Sequence, residues 1–191
     1  MRILSVVLAM ISGAAPAALA QSPEDHARAE FVRIATEFCP GVVSGAIPAR
    51  QDTDAVFEAY GLVGFRAEAA GQGINGLELS LGVPGGAIPA MVETETGLVA
   101  IAIGNTARLC RVGLYGVEAD QVWPMLDGAV MSFEPAWRRV SDQSNEVMRQ
   151  RTYSSPEGMF NRVDRLAASG PLDGQRPEVP LRLMVTIARS N

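Results

Sequence analysis

Lysine is absent from this sequence, and all 16 of its basic residues are arginines. Schiff-base catalysis, the P-loop and the S-x-x-K nucleophile each require a lysine, so these chemistries are excluded. The chain has one histidine, His26, in a polar stretch where we expect the side chain to be exposed. A Ser-His-Asp or Cys-His triad and the usual zinc sites of several His and Cys ligands are therefore not expected.

The N-terminus has the features of a secretory signal peptide. Arg2 is followed by an apolar run over Ile3–Ile11 and by small residues that end in Ala18-Leu19-Ala20. This is the order of a basic start, a short apolar core and an A-x-A cleavage site. The run is shorter than the about 20 apolar residues of a membrane-spanning helix. We therefore expect a signal peptide over 1–20, a periplasmic or secreted protein from Gln21 onward, and no membrane span after cleavage.

Residues 21–191 are long enough to form one exported domain with its own hydrophobic core. Acidic residues outnumber basic ones, and the formal net charge of the sequence is −5. Nucleic acids and anionic lipid surfaces attract positively charged proteins, so we expect neither as a partner. The two tryptophans, Trp123 and Trp137, are expected in the core or at its rim.

The chain contains only two cysteines, Cys39 and Cys110. Export would place both in an oxidising compartment, where paired thiols normally form disulfides. A nucleophilic cysteine needs an activating base, and a metal-binding cysteine needs further ligands. The sequence offers neither near these two positions. We therefore predict a Cys39–Cys110 disulfide, with two free thiols as the alternative.

Two helices are predicted near the start of the mature chain. The first begins at Ser22-Pro23, a favourable cap followed by proline at the first helical position, and continues with apolar residues at helical spacing. We expect Pro40-Gly41 to end it, which makes Cys39 its last residue. The second helix is predicted over Thr53–Tyr60, with Gly61 as its stop.

The rest of the sequence is rich in β-prone segments. A mid-chain helix is predicted over 117–131, with Pro124 either kinking it or starting a second short helix, and a short helix is predicted over 159–168. Alternating or continuous apolar runs predict strands at 77–81, 91–95, 98–103, 107–115, 136–141, 145–153 and 181–188. The run 98–103 is apolar on both faces and should be the central strand. We expect an α+β domain with a mostly antiparallel sheet and with the N-terminal and mid-chain helices on one face.

Two kinds of sequence motif have a possible catalytic or cofactor-binding meaning. Gly71–Gly76 matches G-x-G-x-x-G, but a strand rather than a helix is predicted after it, so a nucleotide site is not expected. Carboxylate pairs occur at Asp52/Asp54 and Glu93/Glu95, and two acids can hydrolyse a glycosidic bond. On one strand, Glu93 and Glu95 would share a face. Helix capping explains Asp52 and Asp54 more simply. A solvent-facing strand explains Glu93 and Glu95 more simply.

The late hairpin has the most suggestive charge pattern. If it turns at 142–145, Arg138 faces Arg149, and Arg151 and Tyr153 continue the same side; we call these four residues the arginine face. Like charges opposite one another require a counter-anion. An acid of this chain, an anionic ligand or carboxylates of a partner could each supply it. The acidic composition favours the first, and a one-residue slip would change the faces.

The combined observations favour an exported, non-catalytic binding or accessory protein of the bacterial cell envelope. An envelope protein or an anionic ligand is the expected partner at the arginine face. The alternative is a carboxylate-dependent hydrolase of envelope polymer that uses Glu93 or Glu95 with a second acid. A structural accessory protein without a defined site is a third possibility. We assign no catalytic residue, no cofactor and no metal site.

Overall fold

A computed structural model describes residues 22–64, 81–82, 87–106, 108–134, 136–156, 165–171 and 180–189. The predicted signal peptide over 1–20, the glycine motif Gly71–Gly76 and residues 77–80 of the predicted strand 77–81 lie outside the described residues. Leu81, the last residue of that prediction, is helical, so the strand prediction is wrong at this position.

The first helix, α1 (Pro23–Arg33), begins where the sequence predicts. The side chain of Ser22 accepts a hydrogen bond from the backbone N–H of Asp25, 3.1 Å away, and Pro23 occupies the first turn. Acidic residues in that turn lie at the positive end of the helix dipole. Ala27 and Phe31, one turn apart, are fully buried. The cap and the buried stripe together fix the start and orientation of α1.

Pro40 does not end this helix, contrary to our prediction. The chain continues through a π-helical segment, Ile34–Phe38, into α2 (Cys39–Ser44), and Gly45 ends it with φ 84°. Proline has no N–H and its ring clashes with the carbonyl four residues earlier. The wider π turn accommodates both effects, because hydrogen bonds there run over five residues, as from the Cys39 N–H to the Ile34 carbonyl.

The other two helices agree more closely with the sequence. Helix α3 (Thr53–Tyr60) is capped by the Asp52 side chain and ends at Gly61, which adopts φ 66°. Glycine tolerates this left-handed conformation without steric cost. Helix α4 (Val122–Met131) begins later than the predicted segment 117–131, so that Pro124 lies in its first turn, where a missing N–H leaves no intrahelical bond unmade.

The described strands form one antiparallel sheet of eight strands in the order β1-β2-β3-β4-β8-β7-β6-β5. The α+β class and the helices on one face are confirmed. The strands are β1 (Val63–Gly64), β2 (Ile88–Thr94), β3 (Gly97–Ile103), β4 (Leu109–Tyr115), β5 (Arg138–Ser144), β6 (Met148–Ser154), β7 (Arg165–Pro171) and β8 (Leu181–Ala188).

Two predictions about the sheet are wrong. The central strands are β4 and β8, whereas β3, the predicted centre, is one position further out. Strand β3 is buried on both faces because Leu81 packs over Ala100 and Ala102 on the side away from the helices. The second error concerns 159–168, predicted as helix: from Arg165 onward the chain is strand β7. Pairing with β6 and β8 there overrides the helical preference of its alanines.

The main core lies between the helices and one face of the sheet. It includes Phe31 and Phe38 from the helical side and Ile101, Val112 and Val185 from neighbouring strands. Cys39 and Cys110 form the predicted disulfide within this core, with their Cα atoms 5.4 Å apart and both side chains fully buried. The bond therefore fixes the start of α2 to the central strand β4.

Candidate functional site

The β5–β6 hairpin turns three residues later than our assumption. Ser144 pairs with Arg149, and the turn lies between them. The side chain of Asn145 accepts hydrogen bonds from the backbone N–H groups of Val147 and Met148, at 2.9 and 2.8 Å. Asparagine favours such turns because its side-chain oxygen can replace a backbone acceptor. This local bond sets the register of the whole hairpin.

In the observed register, the four residues of the predicted arginine face lie on two different sides of the sheet. Arg138 pairs with Ser154, and Arg139 pairs with Tyr153. Since neighbours across a sheet share a face and successive residues alternate, Arg138 lies on the opposite side from Arg149, Arg151 and Tyr153. The predicted opposition of Arg138 and Arg149 is therefore wrong. A bulge between Arg139 and Ser141 contributes to the difference, because one extra residue changes the alternation.

Asp127 of α4 is the acceptor for the remaining residues. Arg151, only 8 % exposed, donates to Asp127 at 2.7 Å and to Asp142 of β5 at 3.0 Å. Tyr153, fully buried, also donates to Asp127. Arg139 adds longer contacts of 3.4 Å to both carboxylates. Two acids and two arginines thus form one ion-pair network between α4 and the hairpin.

The environment of Tyr153 keeps its phenol protonated. Burial raises the pKa of Tyr153 far above its ordinary value of 10.0, and the hydrogen bond to Asp127 raises this pKa further. Arg151 acts in the opposite direction with a smaller effect. Both effects that raise the pKa disfavour a phenolate beside a carboxylate in a water-poor site. Tyr153 is therefore a hydrogen-bond donor to Asp127.

Trp123, in the first turn of α4, lies beneath both arginines of β6. The guanidinium carbon of Arg149 is 5.5 Å from the centre of a Trp123 ring, and that of Arg151 is 5.3 Å from it. The two arginines differ in their polar contacts. Arg151 contacts two carboxylates, whereas no described carboxylate contacts Arg149, whose Nε is buried without a hydrogen-bond partner. Within the described part of the chain, the contact of the Arg149 side chain is therefore the one with the Trp123 ring.

Three members of the predicted carboxylate pairs lie in a turn or at the start of a helix. Strand β2 ends at Thr94, so Glu95 is an exposed turn residue outside the strand. Asp52 caps α3 and Asp54 lies in its first turn, as the capping interpretation predicts. Among the described residues, no three His, Cys, Asp or Glu side chains are placed to hold a metal ion.

Sequence reasoning identified Arg149, Arg151 and Tyr153 but missed the groups that they contact. These are Trp123, Asp127, Arg139 and Asp142. One signal was available: Trp123 and Asp127 are four residues apart, so on a helix they share a face. The roles of Arg139 and Asp142 depend on the hairpin register, which apolar patterning does not determine in a strand as polar as β5.

No protein-family model, curated protein or solved structure matches this chain at a significant level. None of the helices in the described part of the chain combines the length and the apolar character that crossing a bilayer would require. The functional interpretation therefore depends on the geometry of the residues themselves.

Proposed function

We propose that this protein is an exported, non-catalytic binding or accessory protein of the bacterial cell envelope, and that it binds an anionic group of a partner at Arg149. The observation that carries the proposal is the contrast between the two arginines over Trp123. Asp127 and Asp142 neutralise Arg151, while Arg149 contacts no described carboxylate. The partial burial of an unpaired guanidinium costs free energy. An external anion that pairs with the guanidinium would offset this cost.

The surroundings of Arg149 suit a carboxylate or a similar anion. The Trp123 ring restricts the guanidinium plane, and an ordered guanidinium loses less freedom when it forms a two-pronged bond to a carboxylate. Trp123 is also in the first turn of α4, where the helix dipole is positive. The dipole and the guanidinium charge therefore favour an anion at this position, and the ring orders the guanidinium that would bind it.

Several contacts support binding rather than hydrolysis. The two carboxylates that contact Arg151, Asp127 and Asp142, each accept a hydrogen bond from its guanidinium, so both are already engaged in ion pairs. The phenolic hydrogen of Tyr153 is already donated to Asp127.

Export is supported by the buried disulfide, since such bonds persist in oxidising compartments, and by the signal-like N-terminus.

The anion site can be tested directly with citrate as the probe. Arginine Nε–H signals of the purified protein are followed by NMR during a citrate titration. The Arg149 signal, identified by its absence in Arg149→Lys, should shift saturably, and the Arg151 signal should not. A uniform response of all arginine signals would show only weak, general ion binding and would contradict the proposal.

Partner binding can be tested by affinity capture from envelope extracts. Arg149→Glu is compared with wild type and with Arg138→Glu, a matched control because Arg138 is exposed on the same hairpin but on the other side of the sheet. We expect wild type and the control to capture a protein that Arg149→Glu does not. Identical partners for all three would overturn the proposed site.

A further inference from the structure

An apolar pocket lies where the π-helical segment meets the chain after α4. It has a volume of about 270 Å³ and is lined by Thr36, Glu37 and Pro40 on one side and by Phe133 and Trp137 on the other. The two aromatic rings meet edge to face, with centres 5.6 Å apart and planes at 81°. The pocket therefore lies beside the π-helical turn. Two aromatic rings that contact each other form one of its walls.

Some polar groups around the pocket already have hydrogen-bond partners, and others have none. The hydroxyl of Thr36 donates to the Val32 carbonyl at 2.8 Å, and that of Ser44 donates to the Gly41 carbonyl at 3.0 Å. The exposed carboxylate of Glu37 has no ion pair with any described residue. The indole N–H of Trp137 is buried without an acceptor; it is a donor, so an ammonium group would not pair with it, and it is useful here as a spectroscopic reporter.

We infer that this pocket binds a small hydrocarbon ligand that bears one positive charge, such as a primary amine with an aromatic body. The apolar walls favour the hydrocarbon part. Glu37, the one charged side chain among the described lining residues, favours an ammonium group, and the faces of aromatic rings also attract cations. A pocket volume of about 270 Å³ is near the lower end of the range for small-molecule sites, which favours a small ligand. This inference concerns another surface than Arg149 and does not depend on the proposed function.

Phenethylamine, which has nine non-hydrogen atoms, is a suitable probe, and 2-phenylethanol is its neutral counterpart. The chain has two tryptophans, so an NMR spectrum of the ¹⁵N-labelled protein contains two indole N–H signals, assigned with Trp→Phe variants. Phenethylamine should shift the Trp137 signal saturably and leave that of Trp123 unchanged. The titration covers dissociation constants from about 0.1 to 10 mM, the range for ligands of this size.

Two variants separate the roles of shape and charge. Glu37→Gln should weaken phenethylamine binding about two- to fivefold, the range of an exposed ion pair, and should leave 2-phenylethanol binding unchanged. Glu146→Gln, an exposed acid on the β5–β6 turn, is the matched control and should have no effect. Ala46→Phe places a ring at the exposed rim residue Ala46 and should abolish binding of both probes.

The outcomes that would overturn the inference are specific. If neither probe shifts the Trp137 signal, or if Ala46→Phe binds as wild type does while keeping its melting temperature, the pocket is not a binding site. If 2-phenylethanol binds as tightly as phenethylamine in wild type, the assignment of a cationic ligand is wrong. Ser44→Leu, at a second lining position, replaces Ala46→Phe as the blocking variant if the latter does not fold.

Discussion

Tyr153 of β6 donates its phenolic hydrogen to Asp127 of α4, and the same carboxylate accepts a hydrogen bond from Arg151. Asp127 is therefore the point at which the helix layer and the edge of the sheet are joined by polar contacts. The two donors are almost completely buried, whereas the side chain of Asp127 is 22 % exposed. Removing the acceptor would leave two buried donors unpaired.

We predict that Asp127→Ala lowers the free energy of unfolding by about 2–4 kcal/mol. Breaking a buried ion pair by deleting one partner leaves an uncompensated charge, and the unpaired phenol adds to this cost. Asp142→Ala, at a more exposed carboxylate that contacts the same arginine, is the matched control and should cost about 1 kcal/mol. Urea unfolding measures both. Equal losses for the two variants would mean that Asp127 has no special role.

The two arginines over Trp123 should differ in their contribution to stability. Arg151→Ala leaves Asp127 and Asp142 without their main partner, and we expect a loss of about 3 kcal/mol. Arg149→Ala removes the contact with the Trp123 ring and no ion pair with a described residue, and should cost about 0.5–1 kcal/mol. Thermal or urea unfolding of the two variants tests this order. A larger loss at Arg149 would show that this residue is structural and would weaken its assignment to ligand binding.

Stability should fall at alkaline pH because of Tyr153. Its pKa is raised in the folded protein, by burial first and by Asp127 second, above the ordinary value of about 10 in the unfolded chain. A group with a raised folded pKa contributes its full stabilisation below the unfolded value and loses it as the pH rises further. Above about pH 10 the loss should approach about 1.4 kcal/mol per pH unit.

Tyr153→Phe is the control for this pH dependence. The variant should be less stable than wild type at neutral pH by about 1 kcal/mol, because it loses one hydrogen bond. Its unfolding midpoint should decline less steeply between about pH 10 and 11, since no proton is released at position 153. Parallel declines in the two proteins would assign the alkaline effect to other groups.

The disulfide should make a large contribution to stability. The bond between Cys39 and Cys110 spans a sequence separation of 71. On the chain-entropy account, such a loop restricts the unfolded state by about 4 kcal/mol. We expect Cys39→Ala/Cys110→Ala to lose an amount of this order in urea unfolding at neutral pH. Mass spectrometry of exported wild-type protein should show a mass two hydrogens below that of the dithiol form.

Local sequence signals predicted those elements whose ends are set by adjacent residues. The bounds of α3 follow from the cap Asp52 and from Gly61, and α1 starts at Ser22-Pro23 as expected. Strands such as β3 and β8 follow from runs of apolar or alternating residues. The disulfide followed from the number of cysteines and the expected compartment. In each case the determining interaction is close in sequence or follows from composition.

The failures concern features that distant contacts decide. Residues 165–168 join β7 because β6 and β8 supply hydrogen-bond partners on both sides, and the local sequence gives no sign of these neighbours. The face of Arg138 depends on a turn at Asn145 and on a bulge. A shift of one residue moves a side chain to the other face. The position of Arg138, one of the four residues of the predicted arginine face, therefore depended on a register that the sequence leaves open.

The π-helical segment Ile34–Phe38 has a consequence for the angular order of the residues after it. Each residue advances an α-helix by about 100°, so one extra residue in a turn changes the direction in which every later side chain points. Cys39 meets β4 while Pro40 borders the apolar pocket, and both directions depend on that single turn. A one-residue deletion within the segment would preserve the helical content and yet point Cys39 away from Cys110. The covalent cross-link and the pocket thus have one geometric origin.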